Sequence, residues 1–471
     1  MQGWVPDIAG RDGPIYRVIA DALADAIAGG ILRPGDRLPT HRALAEAVDV
    51  DLTTVTRAYA EARRRGLVEG TVGRGTFVSG AVTAPAVSGA VPAPAGRDAD
   101  HDAAPIDLTM NLPPILAEPS LSALLPASLS ALLAGPARAD LLTYRIGASL
   151  AERRAAADWL MPTVGAVAPE RIVVAPGAQP ALLAVLGLAA PPGAVVLTDA
   201  LTYPGLRAAA AQHGTRLVGV AGDAHGMSPD ALDAACDQHH PAALYVVPTI
   251  HNPTTATMPT LRRERLAAIA RRRHVAIVED DAYGLLPSTR LPALAQLAPD
   301  ITWHVATVSK LLSPALRVAY ALAPDADRTA RLAAALRANT FMASPLLAGV
   351  VAAWLRDGTA GRILAAILRE AVVRQTMARD LLPAGAFDAH PEGLHLWLRL
   401  PPRWGRLDFV AQARQRGLAV VPSDAFAVGD DPPDAVRVAL GAAPSREALR
   451  TALSALAALL AQPGPAFSEI V

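Results

Sequence analysis

Residues 81–105 divide the chain into two parts that must fold separately. This stretch is rich in Ala, Pro, Val and Gly and has no amphipathic period, which is typical of a linker that proline stiffens in places. The 471 residues exceed one ordinary domain, and 52% of them are hydrophobic, enough to build more than one core. We therefore predict a head at residues 1–80, a linker at 81–105 and a body at 106–471.

The body alternates short β-rich runs with helices rich in alanine and leucine. This alternation predicts an α/β fold with a doubly wound, mainly parallel sheet. The part from about Asp325 to residue 471 contains long helices and few strands, which predicts a smaller α/β subdomain. The candidate strands of the large sheet are residues 172–174, 194–198, 243–247, 275–279 and 304–307.

The head contains a pattern of two short helices joined by a tight turn. Thr40 can cap a helix over residues 41–48, and a second helix begins near Asp51 and ends at Gly66. Two further segments, 67–69 and 76–78, can pair as a hairpin across a glycine-rich turn. Because a short helix with a basic end suits the major groove and a hairpin can reach a phosphate, the pattern predicts a winged helix-turn-helix that binds DNA.

The head closely resembles the GntR-type bacterial regulators in the sequence and order of its motifs. The resemblance rests on GDRLPTHRALA at 35–45, TV at 54–55 and GRGTFV at 73–78. At Asp51-Leu52 the family commonly has Ser-Arg, so the operator sequence cannot be carried over. The resemblance implies a double-stranded DNA operator as partner and the following DNA-facing residues: Arg42, Thr53, Thr54, Thr56, Arg57 and Arg74.

The charge balance excludes a protein that attracts nucleic acid or membranes through its overall field. Lys+Arg and Asp+Glu are 43 each, and the basic surface is local to residues 52–80, where five arginines against two acids give +3. Cys236 is the only cysteine, which fits a reducing compartment. Since no secretory signal is visible, and proline and glycine interrupt the uncharged run at 172–198, we expect a cytoplasmic protein without a membrane span.

Lys310 is the only lysine, because the other 42 of the 43 basic residues are arginines. A lysine amine can lose its proton and condense with an aldehyde, whereas arginine stays protonated. Chance in an arginine-rich chain is the alternative explanation, and the neighbouring residues decide between the two. Lys310 is therefore a candidate covalent anchor.

A carboxylate and a phenol directly follow one of the predicted strands of the body. Asp280 and Tyr283 come after the strand at 275–279, at the edge where doubly wound sheets bind ligands. Besides a lysine, pyridoxal 5'-phosphate chemistry needs a carboxylate on the pyridine nitrogen. We expect Asp280 to hold this nitrogen and Tyr283 to donate to the phenolic oxygen of the ring. Asp281 competes with Asp280 for this role, and the spacing to Tyr283 favours Asp280.

A phosphate cup can be assembled from two segments of the body. Thr307, Ser309 and Arg317 can hold a phosphate dianion by charge-assisted hydrogen bonds. The segment Gly177-Ala178-Gln179 precedes a predicted helix and offers backbone N–H groups to the same phosphate.

Three more side chains complete the contacts that the cofactor and its substrate need. Tyr203 can stack on the ring, and Asn252 can reach the ring oxygen. Arg437, on a predicted strand, can bind a substrate α-carboxylate through a bidentate fork. His251, beside Asn252, has no metal-ligand partner at useful spacing, so no metal is predicted.

In this order the motifs of the body resemble the class I and II aminotransferases of fold type I, over residues 106–471. The resemblance implies that pyridoxal 5'-phosphate is the cofactor. It also implies a homodimer with shared sites, in which Tyr144 contacts the phosphate of the partner subunit's cofactor.

A GntR-type head joined to an aminotransferase-like body resembles the MocR family of bacterial transcription regulators. This implies a DNA-binding regulator that carries pyridoxal phosphate as an internal aldimine of Lys310 and senses an amino acid or amine effector, or pyridoxal phosphate itself. The alternative is a catalytically active aminotransferase of an α-amino acid, because every residue that the half-reaction needs is present. The retained Lys310 argues against a body that keeps only the fold. The sequence leaves open which effector is bound, whether the regulator activates or represses, and whether a substrate is turned over. It also leaves open the sequence and spacing of the operator.

Overall fold

A computed structural model describes residues 4–6, 15–33, 35–64, 67–71, 75–78, 105–136, 138–145 and 147–462. The chain divides into two compact units, Met1–Asp100 and His101–Val471, which contain the head and the body and are described separately. Of the predicted linker, only Pro105 lies within the described residues. No helix in these ranges is long and apolar enough to cross a membrane.

The described residues of the head form three helices and a hairpin: α1 (Ile15–Ala28), α2 (His41–Val48), α3 (Leu52–Arg64), β1 (Val68–Thr71) and β2 (Gly75–Val78). The Thr40 hydroxyl accepts a hydrogen bond from the Ala43 N–H at 3.3 Å and caps α2. Strands β1 and β2 pair in antiparallel fashion. Leu44, Val55 and Tyr59 are buried in the core of the head. The predicted winged helix-turn-helix is confirmed.

The body contains helices and strands in steady alternation, with short 3₁₀ turns at Pro169–Arg171, Pro314–Leu316, Ser423–Ala425 and Leu440–Ala442. Its first half runs β3 (Ile106–Asp107), α4 (Leu121–Ala134), α5 (Arg138–Leu141), α6 (Leu150–Val164), β4 (Ile172–Ala175), α7 (Ala178–Ala189), β5 (Val195–Asp199), α8 (Pro204–His213), β6 (Arg216–Val220), β7 (Gly222–Asp223), β8 (Gly226–Met227), α9 (Pro229–His239), β9 (Ala243–Val246), α10 (Thr260–Arg272) and β10 (Ala276–Asp281). Its second half runs α11 (Leu294–Leu297), β11 (Thr302–Thr307), β12 (Ala319–Leu322), α12 (Ala326–Thr340), α13 (Pro345–Arg356), α14 (Thr359–Leu381), β13 (Phe387–Ala389), β14 (His395–Arg399), α15 (Arg406–Gln415), β15 (Leu418–Ala419), β16 (Val421–Pro422), β17 (Ala435–Ala439) and α16 (Arg446–Ala461).

A seven-stranded sheet with the order β4-β12-β11-β10-β9-β5-β6 forms the centre of the body. Strand β12 is antiparallel to both of its neighbours, and the other pairings are parallel. Val278 and Tyr245 belong to a core cluster with α7, whereas Ile277 and Leu244 belong to one with α9 and α10. Because helices cover both faces, strands β5, β9 and β11 are buried along their whole length rather than alternating between buried and exposed residues. The predicted mainly parallel, doubly wound sheet is confirmed.

A smaller antiparallel sheet, β13-β14-β17-β16, forms a second layer in the body. Leu396, Val438 and Leu453 share its core with Leu108. The short strand β3 pairs in parallel with β15, Ile106 opposite Leu418. The residues that directly follow the predicted linker therefore belong to this smaller layer.

Two helices that the sequence analysis placed in the smaller subdomain pack against the large sheet instead. Leu332 and Leu336 of α12 lie in the same core as α7. Val350 of α13 lies in the same core as Leu160 of α6. Periodicity identifies an apolar helix face but does not say which core that face joins, so the predicted boundary near Asp325 lies too early in the chain.

The carboxyl ends of the large sheet bring the predicted site residues to one edge. Gly177, Tyr203, Asn252 and Lys310 follow β4, β5, β9 and β11 respectively. Strand β10 is longer than predicted and includes Asp280. Ligands of doubly wound sheets bind at this edge, so the fold positions these five residues for one site.

Candidate functional site

The Lys310 amine lies at the centre of this edge. Its Nζ donates a hydrogen bond to the backbone carbonyl of Asn111. The pKa of Lys310 is lowered to about 8, chiefly by burial and also by the positive charge of Arg437, whereas Asp280 opposes the change. A larger fraction of the amine is therefore neutral near physiological pH than in an ordinary lysine, as a nucleophile requires.

Asp280 has one satisfied and one unsatisfied carboxylate oxygen. The Tyr245 hydroxyl donates to Oδ2 at 2.7 Å, whereas Oδ1 is buried and has no hydrogen-bond partner in the part of the chain that the structure describes. Burial raises the pKa of Asp280 to about 6, and the neighbouring charge of Asp281 adds to this, against the hydrogen bond from Tyr245. Since an unpaired buried acceptor is costly, Oδ1 is suited to accept a hydrogen bond from a ligand N–H.

Asp281 points to the opposite face of the sheet, as expected for adjacent residues of one strand. Its Oδ2 is 3.7 Å from Nε2 of His304, and Nδ1 of His304 is 2.8 Å from Oε2 of Glu279. Glu279 also accepts hydrogen bonds from the backbone N–H groups of Leu294 and Ala295. Asp281 thus belongs to a buried cluster behind the site, an arrangement that favours Asp280 as the residue facing a ligand.

Two of the segments predicted to form the phosphate cup meet at Gly177. Gly177 caps α7 with φ 114°, and a Cβ on it would lie 2.6 Å from Nη2 of Arg317. The exposed Arg317 guanidinium can approach this helix N-terminus because residue 177 has no side chain. Thr307 donates to the Ser309 hydroxyl at 3.0 Å, and Gln179 donates to the Gly205 carbonyl at 2.7 Å.

Arg437, in the middle of β17, reaches from the smaller sheet to the same edge. Its Nη1 donates to Oδ1 of Asn252 at 2.8 Å, and its Nη2 donates to the Thr109 carbonyl. The guanidinium lies 5.0 Å from the ring centre of Phe426, and burial lowers the pKa of Arg437. Among the described residues the partners of this buried cation are neutral, so it can gain free energy from a carboxylate.

Tyr203 and Tyr283 lie among these charged groups. Burial raises the pKa of both phenols, so both remain protonated and can donate. The pKa of Tyr203 also responds to the charges of Asp280, Arg317 and Arg437. The two tyrosines therefore lie near the same space as the other site residues.

These residues offer groups that are complementary to those of pyridoxal phosphate. The site combines a partly neutral amine at Lys310, an unpaired buried carboxylate oxygen at Asp280 and an anion-binding helix end at Gly177, where Arg317 approaches. An aldehyde, a pyridine nitrogen and a phosphate are the complementary groups.

Tyr144 lies on the surface of the body. Its side chain is 82% exposed and contacts Phe341, with ring centres 5.1 Å apart. Its predicted contact involves a second subunit, so the single chain leaves that role a prediction.

Several residues of the site were missed by sequence analysis. Tyr245, on β9, reaches Asp280 from the neighbouring strand, and His304, on β11, lies against Asp281 behind the site. Asn111 and His395 lie together beside Tyr283. The strand pairing that aligns β9 with β10 is not encoded in local patterns, and Asn111 lies in a segment without a recognised motif.

The predicted DNA-facing residues of the head cluster around α2 and α3. Arg42, Thr53, Thr56 and Arg57 are exposed, and Thr54 is half-buried. The Thr56 hydroxyl donates to the Leu52 carbonyl at 2.8 Å, and the Arg57 guanidinium lies 4.5 Å from the ring centre of Tyr16. Arg74 lies outside the described residues.

An Arg42→Ala change is expected to weaken DNA binding almost equally on all sequences. If Arg42 contacts a phosphate, its loss should reduce the slope of log affinity against log salt by about 1. Fluorescence anisotropy with specific and random duplexes over a salt series measures both quantities. Arg33→Ala is the matched control, because Arg33 is an exposed arginine of the head outside α2 and α3. A slope unchanged by Arg42→Ala, or equally changed by Arg33→Ala, contradicts the assignment.

Two family models match the chain. Residues 15–78 match the bacterial regulatory proteins of the gntR family. Residues 105–456 match aminotransferase class I and II. The first match lies in the head and the second in the body.

Known proteins resemble the chain over its full length or over the body alone. The uncharacterized HTH-type transcriptional regulator YdeF of Bacillus subtilis is 32% identical over 460 residues, which cover 97% of this chain and 96% of YdeF. The 2-aminoadipate transaminase of Thermus thermophilus is 30% identical over 281 residues, 57% of this chain and 69% of the transaminase. The crystal structure of LysN, an α-aminoadipate aminotransferase that is also from Thermus thermophilus, has a TM-score of 0.69 at 25% identity, covering 76% of this chain and 92% of LysN.

Proposed function

The chain belongs to the MocR-type regulators, in which a GntR helix-turn-helix precedes an aminotransferase class I and II domain, and we propose that its body holds pyridoxal phosphate at Lys310 to sense an amino compound. Aminotransferases of this class depend on pyridoxal phosphate, and the GntR part binds DNA. The observation that carries the proposal is that Lys310 and Asp280 lie at the same edge of the large sheet, where Arg437 reaches the side chain of Asn252. The response would pass to DNA through the head.

Each site residue has a defined task in this proposal. The cofactor, when bound, supplies an aldehyde that reacts with primary amines and a ring that withdraws electrons. Asp280 would hold the pyridine nitrogen, and Lys310 would be the covalent attachment point. The phosphate would be held by Arg317, Thr307, Ser309 and the backbone at Gly177-Ala178-Gln179. Tyr203 would lie against the ring, and Asn252 and Tyr283 would contact the ring oxygen.

An amino acid is the effector class that the buried arginine favours. Arg437 donates from Nη1 to the Asn252 side chain and from Nη2 to the Thr109 carbonyl. A carboxylate offers two negative oxygens to the guanidinium fork and is a stronger acceptor than a backbone carbonyl. LysN, whose structure contains N-(5'-phosphopyridoxyl)-L-leucine, offers a precedent for an amino acid in such a site.

The segment between the predicted linker and the site offers a route to the head. The carbonyls of Thr109 and Asn111 accept from Arg437 and Lys310 respectively. Attachment of the cofactor would take the Lys310 amine away from the Asn111 carbonyl, and a carboxylate bound by Arg437 would compete with the Thr109 carbonyl. Since residues 106–111 directly follow the predicted linker, a change in this segment would reach the linker without crossing the rest of the body.

The alternative is an aminotransferase that turns over an α-amino acid. The observation in its favour is the 30% identity with the 2-aminoadipate transaminase, together with the complete set of site residues. In this case Lys310 would also move a proton as general base.

The test combines two measurements on the purified full-length protein loaded with pyridoxal phosphate. Absorbance follows the reaction of the cofactor with a panel of amino acids, and fluorescence anisotropy follows binding to DNA from the protein's own promoter region. The proposal expects at least one amino acid to change both signals. Repeated turnover with a keto acid acceptor, without DNA binding under any condition, would establish the aminotransferase instead.

A further inference from the structure

Asn111 lies between the side chains of Tyr283 and His395. Its Nδ2 is 2.7 Å from the Tyr283 hydroxyl oxygen and 2.9 Å from Nδ1 of His395. All three side chains are buried, and the two rings are 6.1 Å apart between centres. The directions of these hydrogen bonds follow from the donors and acceptors available in this group.

A backbone carbonyl sets the tautomer of His395. Nε2 of His395 is 3.2 Å from the carbonyl oxygen of His251, and a carbonyl only accepts, so Nε2 carries the proton. Burial lowers the pKa of His395 to about 3, and the charge of Arg437 adds to this effect. The ring is therefore neutral near physiological pH, and its Nδ1 is a bare acceptor.

The bare Nδ1 in turn fixes the side-chain amide of Asn111. This acceptor requires the NH₂ group of Asn111, so the second N–H of the same group meets the Tyr283 oxygen. Tyr283 then accepts from Asn111 and keeps its own O–H proton for another acceptor. In the reversed amide orientation, Tyr283 would donate to Oδ1 of Asn111 and lose that capacity.

We propose that Asn111 is a positioning residue which, held by His395, directs the hydroxyl proton of Tyr283 toward the oxygen of the bound cofactor ring. The inference rests on the proposed function, because it assumes pyridoxal phosphate at Lys310. The carbonyl of Asn111 accepts from the Lys310 amine, which places Asn111 beside the attachment point.

Other charged and titratable groups also face this pair. Arg437, Asp280 and Tyr203 influence the pKa of Tyr283. Arg437, together with His251 and Lys310, influences the pKa of His395. A test must therefore separate the hydroxyl of Tyr283 from general electrostatic effects on the cofactor.

The test is a pH titration of the visible absorbance of the loaded full-length protein. A hydrogen bond donated to the ring oxygen stabilises its charged form and lowers the pKa of the bound chromophore. Asn111→Ala is expected to raise the titration midpoint by about one pH unit, the size of a weakened hydrogen bond to a charged group. Tyr283→Phe is expected to raise it at least as far. In the Tyr283→Phe background, Asn111→Ala is expected to add nothing, because it acts through that hydroxyl.

Gln375→Leu is the matched control for lost buried hydrogen bonds. Nε2 of Gln375 donates to the carbonyls of Gly393 and His395 at 2.9 and 3.0 Å, and no hydrogen bond links it to Tyr283 among the described residues. This variant is expected to unfold more easily and to keep the wild-type midpoint.

His395→Leu is a second test of the positioning role. It frees the Asn111 amide to reverse, so it is expected to raise the titration midpoint. It replaces Asn111→Ala if that variant does not fold.

The outcomes separate this inference from the function on which it rests. A wild-type midpoint in both Asn111→Ala and His395→Leu overturns the positioning role. The positioning role is also overturned if Asn111→Ala raises the titration midpoint equally in the wild-type and Tyr283→Phe backgrounds. Wild-type protein that shows no cofactor absorbance after incubation with pyridoxal phosphate overturns the proposed function instead.

Discussion

A Lys310→Ala variant is expected to lose all covalent attachment of pyridoxal phosphate and all response to amino acids, while its head still binds DNA. Lys310 is the only lysine in the chain, so no second lysine can replace it as attachment point. Arginine does not form a stable bond of this kind. Treatment with pyridoxal phosphate and borohydride, followed by intact mass measurement, should show one adduct per wild-type chain and none in the variant.

Lys310→Arg separates the lost amine from the lost charge. The arginine variant keeps a cation near Asp280 and is expected to behave like Lys310→Ala in the mass measurement. DNA binding without effector should match that of the wild type in both variants, as measured by fluorescence anisotropy. An adduct that survives in Lys310→Ala would place the attachment elsewhere, on the N-terminal amine, and the site assignment would be wrong.

The sequence predicted the architecture because that information is local. Alternating strand and helix patterns specify a doubly wound sheet, and parallel strands bring their carboxyl ends to one edge. Residues that follow those ends, such as Asn252 and Lys310, could therefore be assigned to one site before their contacts were known. The cap at Thr40 was equally predictable, since it depends on residues three positions apart.

The residues that surround Asp280 could not be predicted in the same way. Tyr245 reaches it only because of the alignment of β9 with β10, in which Tyr245 lies opposite Val278. Asn111 and Tyr283 are 172 residues apart in the chain. Local periodicity carries no information on such long-range pairings, and the apolar face of α12 could join either core for the same reason.

Glu279→Ala is expected to destabilise the body by about 3–5 kcal/mol, the cost of breaking a buried ion pair by removing one partner. Glu279 accepts hydrogen bonds from the backbone N–H groups of Leu294 and Ala295 and is paired with His304. Its removal leaves His304 without its hydrogen-bonded carboxylate in a fully buried position. Urea unfolding followed by tryptophan fluorescence measures the loss, since of the six tryptophans only Trp4 lies in the head.

The size of this loss is expected to depend on pH. Burial by itself lowers the pKa of His304, but the hydrogen bond and charge of Glu279, with the charge of Asp281, raise it above its ordinary value. A raised folded-state pKa stabilises the protein fully below the unfolded pKa of about 6.5, and this stabilisation disappears as pH rises through the folded pKa. Burial alone raises the pKa of Glu279. The hydrogen bond from His304 and the charge of His304 lower this pKa more, so that it lies below the ordinary glutamate value. The stabilisation from Glu279 is therefore lost at acid pH.

The free energy of unfolding lost in Glu279→Ala should accordingly be largest between the ordinary pKa values of glutamate and histidine, about 4.3 and 6.5. This loss should become smaller at pH values above that range. Glu370→Ala is the matched control, because the ion-pair partners of Glu370 within the described ranges are Arg374 and Arg446 rather than a histidine. The free energy of unfolding lost in Glu370→Ala should stay constant over the pH range in which histidine titrates. If the cost of Glu279→Ala is equally constant, His304 is neutral in the folded protein, and Glu279 stabilises the body through the backbone of α11 alone.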